Sequence, residues 1–146
     1  EAFKRIYEFY ESDIFPRLQP IEFAVDVVTE LAAQHTLYIL TSRSADIKEL
    51  TTNWVNTYFP LQFKEILFTG QISREGFNHS VTKQELCKKY DIELHVEDAP
   101  LHVTPIAEMG NKVVVLEKPW NRDYTFESPL VSRIQSLSEL PQLITK

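Results

Sequence analysis

Three short apolar stretches each end in a polar cluster, which would place hydroxyls, a guanidinium and carboxylates on one rim of a sheet. Leu37-Tyr38-Ile39-Leu40 runs into Thr41-Ser42-Arg43, Ile66 to Phe68 into Thr69-Gly70, and Leu94-His95-Val96 into Glu97-Asp98. Lys83 supplies an ammonium in the first turn of an expected helix, where it opposes the macrodipole at a cost of about 0.3 to 1 kcal/mol. A phosphate bound nearby reverses that penalty, and a solvated, screened lysine is the plainer alternative. Glu97 and Asp98 are adjacent anions whose repulsion a divalent cation or an ammonium would relieve. Neighbours on a strand point to opposite faces, so only one of the two is expected to be a direct ligand, the alternatives being a pair of solvated loop acids or one acid capping the following helix. His35, His79, His95 and His102 show no metal-ligand spacing and are expected at the surface or rim. Cys87 falls on the inward stripe of a helix, where a small apolar filler is the expected role.

The elements that must position these groups alternate regularly. Phe3, Ile6, Tyr7 and Tyr10 recur at helical spacing, and Ile21 to Ala32 gives a second amphipathic helix with Pro20 at its first position. A buried strand over Leu37 to Leu40 precedes a helix that Asp46 and Glu49 would cap, running to about Tyr58. Ile66 to Phe68 is a second strand, and Gln71 to Ser80 is a loop without a clear period. Thr82 and Glu85 are expected to cap a helix that turns Leu86, Cys87 and Tyr90 inward. Leu94 to Val96 is a third strand. Thr104-Pro105 starts a short helix ended by Gly110, Val113 to Leu116 is apolar as a doubly covered strand is, and a last strand lies near Val131 to Ile134 before a short helix after Ser138. Parallel strands need crossovers, and those here are helical. The expected fold class is therefore α/β, Rossmann-like, with a mostly parallel sheet, helices on both faces and ligands at the carboxyl ends of the strands.

At 146 residues, with 43% hydrophobic and 25% charged residues, the chain suits a single domain, 1–146. Its 15 basic against 21 acidic residues give a net charge of −6, which lacks the footprint of a nucleic-acid partner. No apolar run approaches the roughly 18 residues of a membrane helix. One cysteine cannot form an internal disulfide, and a cytoplasmic location is the default expectation.

Taken together these segments resemble the haloacid dehalogenase-like superfamily and, within it, the 5′-nucleotidase-type phosphatases, over Phe15 to Trp120. The resemblance is carried by the strand ending in Thr41-Ser42-Arg43, by Thr51-Thr52-Asn53-Trp54, Phe68-Thr69-Gly70, Lys83 and His95-Val96-Glu97-Asp98-Ala99, and by Val115-Leu116 followed by Pro119-Trp120-Asn121. It implies a phosphomonoesterase that works through an aspartyl-phosphate. Thr41 would bond the transferring phosphoryl oxygens and Lys83 would neutralise them. Asp98, with Glu97 where many members have glycine, would hold Mg²⁺, and Ser42, Arg43, Trp120 and Asn121 would form a phosphate or substrate rim that Arg74 and Arg122 could extend. The family's Asp-x-Asp after an apolar strand occurs nowhere in the sequence. The resemblance therefore implies that a central strand with the nucleophile is missing, together with most of the cap, of which residues 1–18 would be the end or a connecting helix. The chain is expected to be a truncated, inactive portion of a longer protein acting on small phosphomonoesters such as nucleotides. Its two inner strands would be left with open edges, inviting self-association. The alternative is a non-catalytic domain that binds a partner or accepts a strand from another chain. Another doubly wound nucleotide-binding fold lacks support, since no Gly-x-Gly-x-x-Gly loop or P-loop occurs among three glycines.

Overall fold

The computed structural model describes residues 2–73, 76–77 and 80–144. Arg74, Asn78 and His79 lie outside the described residues. The chain divides into two compact units, the first Glu1–Ile21 with Val28–Thr82 and the second Glu22–Val27 with Lys83–Lys146.

In the first unit the strands β1 (Tyr38–Thr41) and β2 (Glu65–Phe68) pair in parallel, with Tyr38 opposite Glu65 and Thr41 opposite Phe68. The crossover between them is helix α3 (Lys48–Tyr58), which buries Thr51 and Val55. Its entry differs from the expected capping box. A single 3-10 turn over Ala45–Ile47 comes first, and its cap is Ser44, whose hydroxyl accepts from the Asp46 amide at 3.2 Å. Trp54 on α3 donates its indole N–H to the Leu18 carbonyl at 2.8 Å, and its ring lies against Tyr58 and Phe59. Helix α1 (Ala2–Tyr10) adds a second aromatic cluster, in which Phe9 and Tyr10 meet Phe15 edge to face. The stretch expected to be a loop contains two very short antiparallel strands, β3 (Ile72–Ser73) and β4 (Gly76–Phe77), which are too short to show a period in the sequence.

Helix α2 (Ala24–Ala32) begins later than Pro20. Phe23 sits at φ 64°, in the left-handed region, so a right-handed helix cannot run through it.

In the second unit three parallel strands pair in the order β5 (Leu94–Glu97), β6 (Lys112–Leu116), β7 (Val131–Ile134). Val113 to Leu116 are all buried, as expected of a strand covered on both faces. Helices α4 (Lys83–Lys89) and α5 (Pro100–Glu108) pack against each other and α5 against β5 and β6, burying Leu86, Cys87, Val103, Ile106 and Ala107. Helix α5 starts at Pro100, not at Thr104-Pro105. Ala99 is its extended N-cap and Pro100 occupies the first turn, where a missing N–H costs nothing. Pro105 stands inside the helix, where it removes one bond, to the carbonyl of the exposed Leu101. Gly110, at φ 91°, ends the segment as expected. The terminal helix α6 (Leu140–Ile144) follows a 3-10 turn closed by a reciprocal cap between Ser136 and Glu139. Among the described residues no helix is long and apolar enough to cross a membrane. Each of β1 and β5 has one described strand neighbour, so each unit presents a sheet edge there.

Candidate functional site

The second unit gathers most of the sequence-derived candidates around one carboxylate. Strand periodicity places His95 and Glu97 on the same face of β5, and that face is buried. Lys83 at the start of α4 is also buried, and its Nζ lies 2.5 Å from Glu97 Oε2. His95 Nε2 is 3.2 Å from the same oxygen. The other carboxylate oxygen, Oε1, accepts from the amides of Asp98 at 2.9 Å and Ala99 at 3.1 Å. Burial alone would push the Glu97 carboxyl up, but the His95 hydrogen bond and the charge and hydrogen bond of Lys83 outweigh it. The carboxyl therefore lies well below the usual carboxylate range.

Asp98 behaves in the opposite way. Burial first, then the charge and hydrogen bond of Glu97, push its carboxyl up, with Lys83 only partly offsetting them. An ionised Asp98 is thus short of positive charge, whereas Glu97 is fully supplied. Glu97, whose carboxylate meets the Lys83 ammonium, serves as its internal counter-ion. Among the described residues no group of three or more His, Cys, Asp or Glu side chains could hold a metal ion, so these residues by themselves do not make up a metal site.

Two expectations change here. His95 and His102, expected at the surface or rim, are both buried, and His102 is held below its ordinary value by burial first and by the Lys83 charge second. Asn121, expected on a rim, has no exposed surface, while Trp120 next to it is 59% exposed. Both donate to the Asp98 carbonyl, Asn121 from Nδ2 at 2.9 Å and Trp120 from Nε1 at 3.1 Å. The signal for Asn121 was thin, an asparagine in a turn after a buried strand. The signal for His95 was legible, since it stands two residues from Glu97 on a strand. Arg122 lies outward, with Nε 3.3 Å from Glu117 Oε1. Cys87 is fully buried, and burial pushes its thiol up to about 11, as befits a packing residue.

The first unit carries the hydroxyl cluster. Thr41 ends β1, and its Oγ1 accepts from the Arg43 amide at 3.3 Å, which leaves the hydroxyl hydrogen free to donate. Thr69, buried after β2, accepts from the Gln71 amide in the same way, and its own amide donates to the Thr41 carbonyl at 2.9 Å. Ser42, next to Thr41, is half-buried.

Arg43 is occupied differently from the rim role. Its guanidinium lies over the rings of Phe15 at 5.1 Å and Tyr10 at 5.6 Å, and Nη1 donates to the buried Thr51 hydroxyl at 3.2 Å. It fastens the aromatic cluster of the first unit to α3. Arg43→Ala is expected to cost about 2 kcal/mol in urea unfolding, of which Arg43→Lys restores less than half because an ammonium cannot stack as a planar fork. Unfolding midpoints unmoved by both substitutions would contradict this role.

No protein-family model matches the chain. Over 123 residues, 84% of this chain, it is 26% identical to a protein of Halalkalibacterium halodurans named "Putative nucleotidase", of which it covers 58%. The crystal structure of a 2-haloacid dehalogenase from Pseudomonas syringae pv. Tomato DC3000 matches with a TM-score of 0.58 at 19% identity, over 87% of this chain and 54% of that one. The chain has a haloacid dehalogenase-like fold. This agrees with the expected α/β class, with parallel strands and helical crossovers in both units. The chain spans a little over half the length of either of these two proteins.

Proposed function

We propose that this chain is part of a nucleotidase-type phosphomonoesterase whose attacking aspartate lies on a segment outside the given sequence. The observation that carries the reading is the buried Lys83–Glu97 pair placed directly before Asp98. An ammonium at this depth, with two protons beyond the one directed at Glu97, is suited to neutralising a phosphoryl group, and its neighbour carboxylate is left short of positive charge. Thr41 and Ser42, in the first unit, carry hydroxyls suited to a phosphoryl oxygen, and Trp120, in the second, suits a substrate rim. Asp98 would hold Mg²⁺, which when bound neutralises charge on the phosphoryl oxygens. The similarity to a protein named as a nucleotidase supports a small phosphate ester, such as a nucleotide, as the substrate class.

The test is hydrolysis of p-nitrophenyl phosphate and nucleoside monophosphates with Mg²⁺. The 146-residue chain should be silent by itself. Joined to a preceding strand that carries Asp-x-Asp, it should turn over, and Asp98→Asn should then lose about 100-fold or more of that rate. A complete, Mg²⁺-loaded protein without phosphatase activity would sink the reading.

The sheet edges support a second reading, a non-catalytic domain that accepts a strand from another chain. The outer side of β5 has no described strand neighbour, and Val96 on it is 37% exposed. A sedimentation mass that stays monomeric at all concentrations would count against strand acceptance.

A further inference from the structure

We infer that the indole face of Trp120 is a stacking platform for a nucleobase, which makes the site prefer nucleoside monophosphates to phosphate esters without a base; the inference rests on the proposed role of Lys83 as the phosphoryl anchor. Lys118-Pro119-Trp120-Asn121 forms a tight turn closed at both ends. The Asn121 amide donates to the Lys118 carbonyl at 3.0 Å, and the Lys118 amide donates to Asn121 Oδ1 at 3.0 Å. Proline at the second position of such a turn fixes one backbone angle and leaves Trp120 at the third. Asn121 anchors the turn: it has no exposed surface, its Nδ2 donates to the Leu116 and Asp98 carbonyls at 2.9 Å each, and its Oδ1 also accepts from Arg133 Nη1 at 3.1 Å. The Trp120 ring is held in addition through its one polar atom, because Nε1 donates to the Asp98 carbonyl at 3.1 Å. A ring fixed in this way gives up little freedom when a ligand lies on it.

The ring is nevertheless 59% exposed, and among the described residues no other ring lies against it. Trp54 shows how a tryptophan that serves packing is treated in this chain. It makes the same kind of bond, from its indole N–H to a backbone carbonyl, but its ring lies against Tyr58 and Phe59. Position makes a nucleobase the fitting occupant of Trp120. The path from Lys83 to the ring runs over three hydrogen bonds, from Lys83 to Glu97, from the Asp98 amide to Glu97, and from Trp120 to the Asp98 carbonyl. A nucleoside monophosphate has the same layout, with an anion at one end, a ribose as spacer and a flat aromatic base at the other. Stacking needs no base-specific hydrogen bond, so the platform selects nucleotides as a class, with purines ahead of pyrimidines by ring area. Removal of a stacking aromatic costs roughly 5- to 140-fold in affinity per base.

The experiment is a metal-free titration of the 146-residue chain with adenosine monophosphate (AMP), ribose 5-phosphate and inorganic phosphate, followed through amide and indole N–H signals in the NMR spectra of the wild type, Trp120→Ala and Trp120→Phe. All three ligands should move amides near Lys83, and AMP alone should move the Trp120 indole signal. AMP should bind about fivefold or more tightly than ribose 5-phosphate. Trp120→Ala should bring AMP down to the affinity of ribose 5-phosphate while leaving ribose 5-phosphate itself unchanged. Trp120→Phe keeps an aromatic face without the N–H, so it should keep a preference for AMP. Equal affinity for AMP and ribose 5-phosphate in the wild type overturns the platform alone, and this comparison requires no variant to fold. A preference for AMP that survives in Trp120→Ala overturns it as well, as does a loss in Trp120→Ala that falls equally on both ligands and so marks a structural role. No shift with any of the three ligands overturns the phosphoryl anchor and the platform with it.

Discussion

Lys83→Met is expected to destabilise the chain by about 3–5 kcal/mol, because it leaves the Glu97 carboxylate buried without its counter-ion. Methionine matches the length of the lysine stem, so packing is largely kept and the loss reports the charge. The pH dependence gives a signature that a simple packing defect lacks. In the wild type the Glu97 carboxyl is depressed, so its contribution to stability is complete above the unfolded carboxyl value of about 4.3 and is lost as the pH falls further. In Lys83→Met the ionised carboxylate is the unfavourable form, so acid relieves the damage. The stability difference between the two proteins should therefore narrow as the pH is lowered from 7 towards 4. Adding Glu97→Gln to Lys83→Met should recover part of the loss, since glutamine keeps an acceptor for the Asp98 and Ala99 amides without the stranded charge. Urea unfolding across this pH range is the measurement, and a difference that stays constant or widens in acid would show that Lys83 is not the counter-ion.

Asn121→Leu is the second large effect, at about 2–5 kcal/mol. Leucine fills the space but satisfies none of the four groups now bonded to the amide. The carbonyls of Asp98 and Leu116 and the amide of Lys118 then lose a partner, at about 1–3 kcal/mol for each that water cannot reach. Of these, the Leu116 bond is the buried one and should dominate. Asn121→Asp should cost less, because it retains the two acceptor contacts and gains the charge of Arg133. Unfolding midpoints for the two variants give the comparison directly. A loss below 1 kcal/mol for the leucine variant would show that solvent or a shifted loop replaces the amide.

The parts of the fold read correctly from sequence are those set by burial over several residues. Val113 to Leu116 read as a doubly covered strand because β6 is covered on both faces, and the inward stripe of α4 was visible as Leu86 and Cys87. Element starts were harder, since they depend on single backbone angles. Phe23 at φ 64° delays α2, and a non-glycine residue gives no local sign that it will adopt that angle. Two prolines competed to start α5, and Pro100 prevailed because an extended Ala99 precedes it, while packing of Val103, Ile106 and Ala107 holds the helix through Pro105. In the site, residue types were legible but occupancy was not. Lys83 and Glu97 are 14 positions apart in sequence, and only the packing of α4 on α5, which itself packs on β5, turns two separate charges into a pair. Arg43 looked like an anion anchor by type, yet Tyr10 and Phe15 claim its faces.

Because one Glu97 oxygen serves Lys83 and His95 and the other serves two backbone amides, position 97 cannot change alone without consequences for position 83. Glycine at that position would remove all four of these contacts. A chain with glycine must give its lysine another anion, from a different strand or from the bound substrate. Residues 83, 95 and 97 should consequently vary as a set among descendants of a common ancestor, with the histidine free to drift wherever the glutamate has gone.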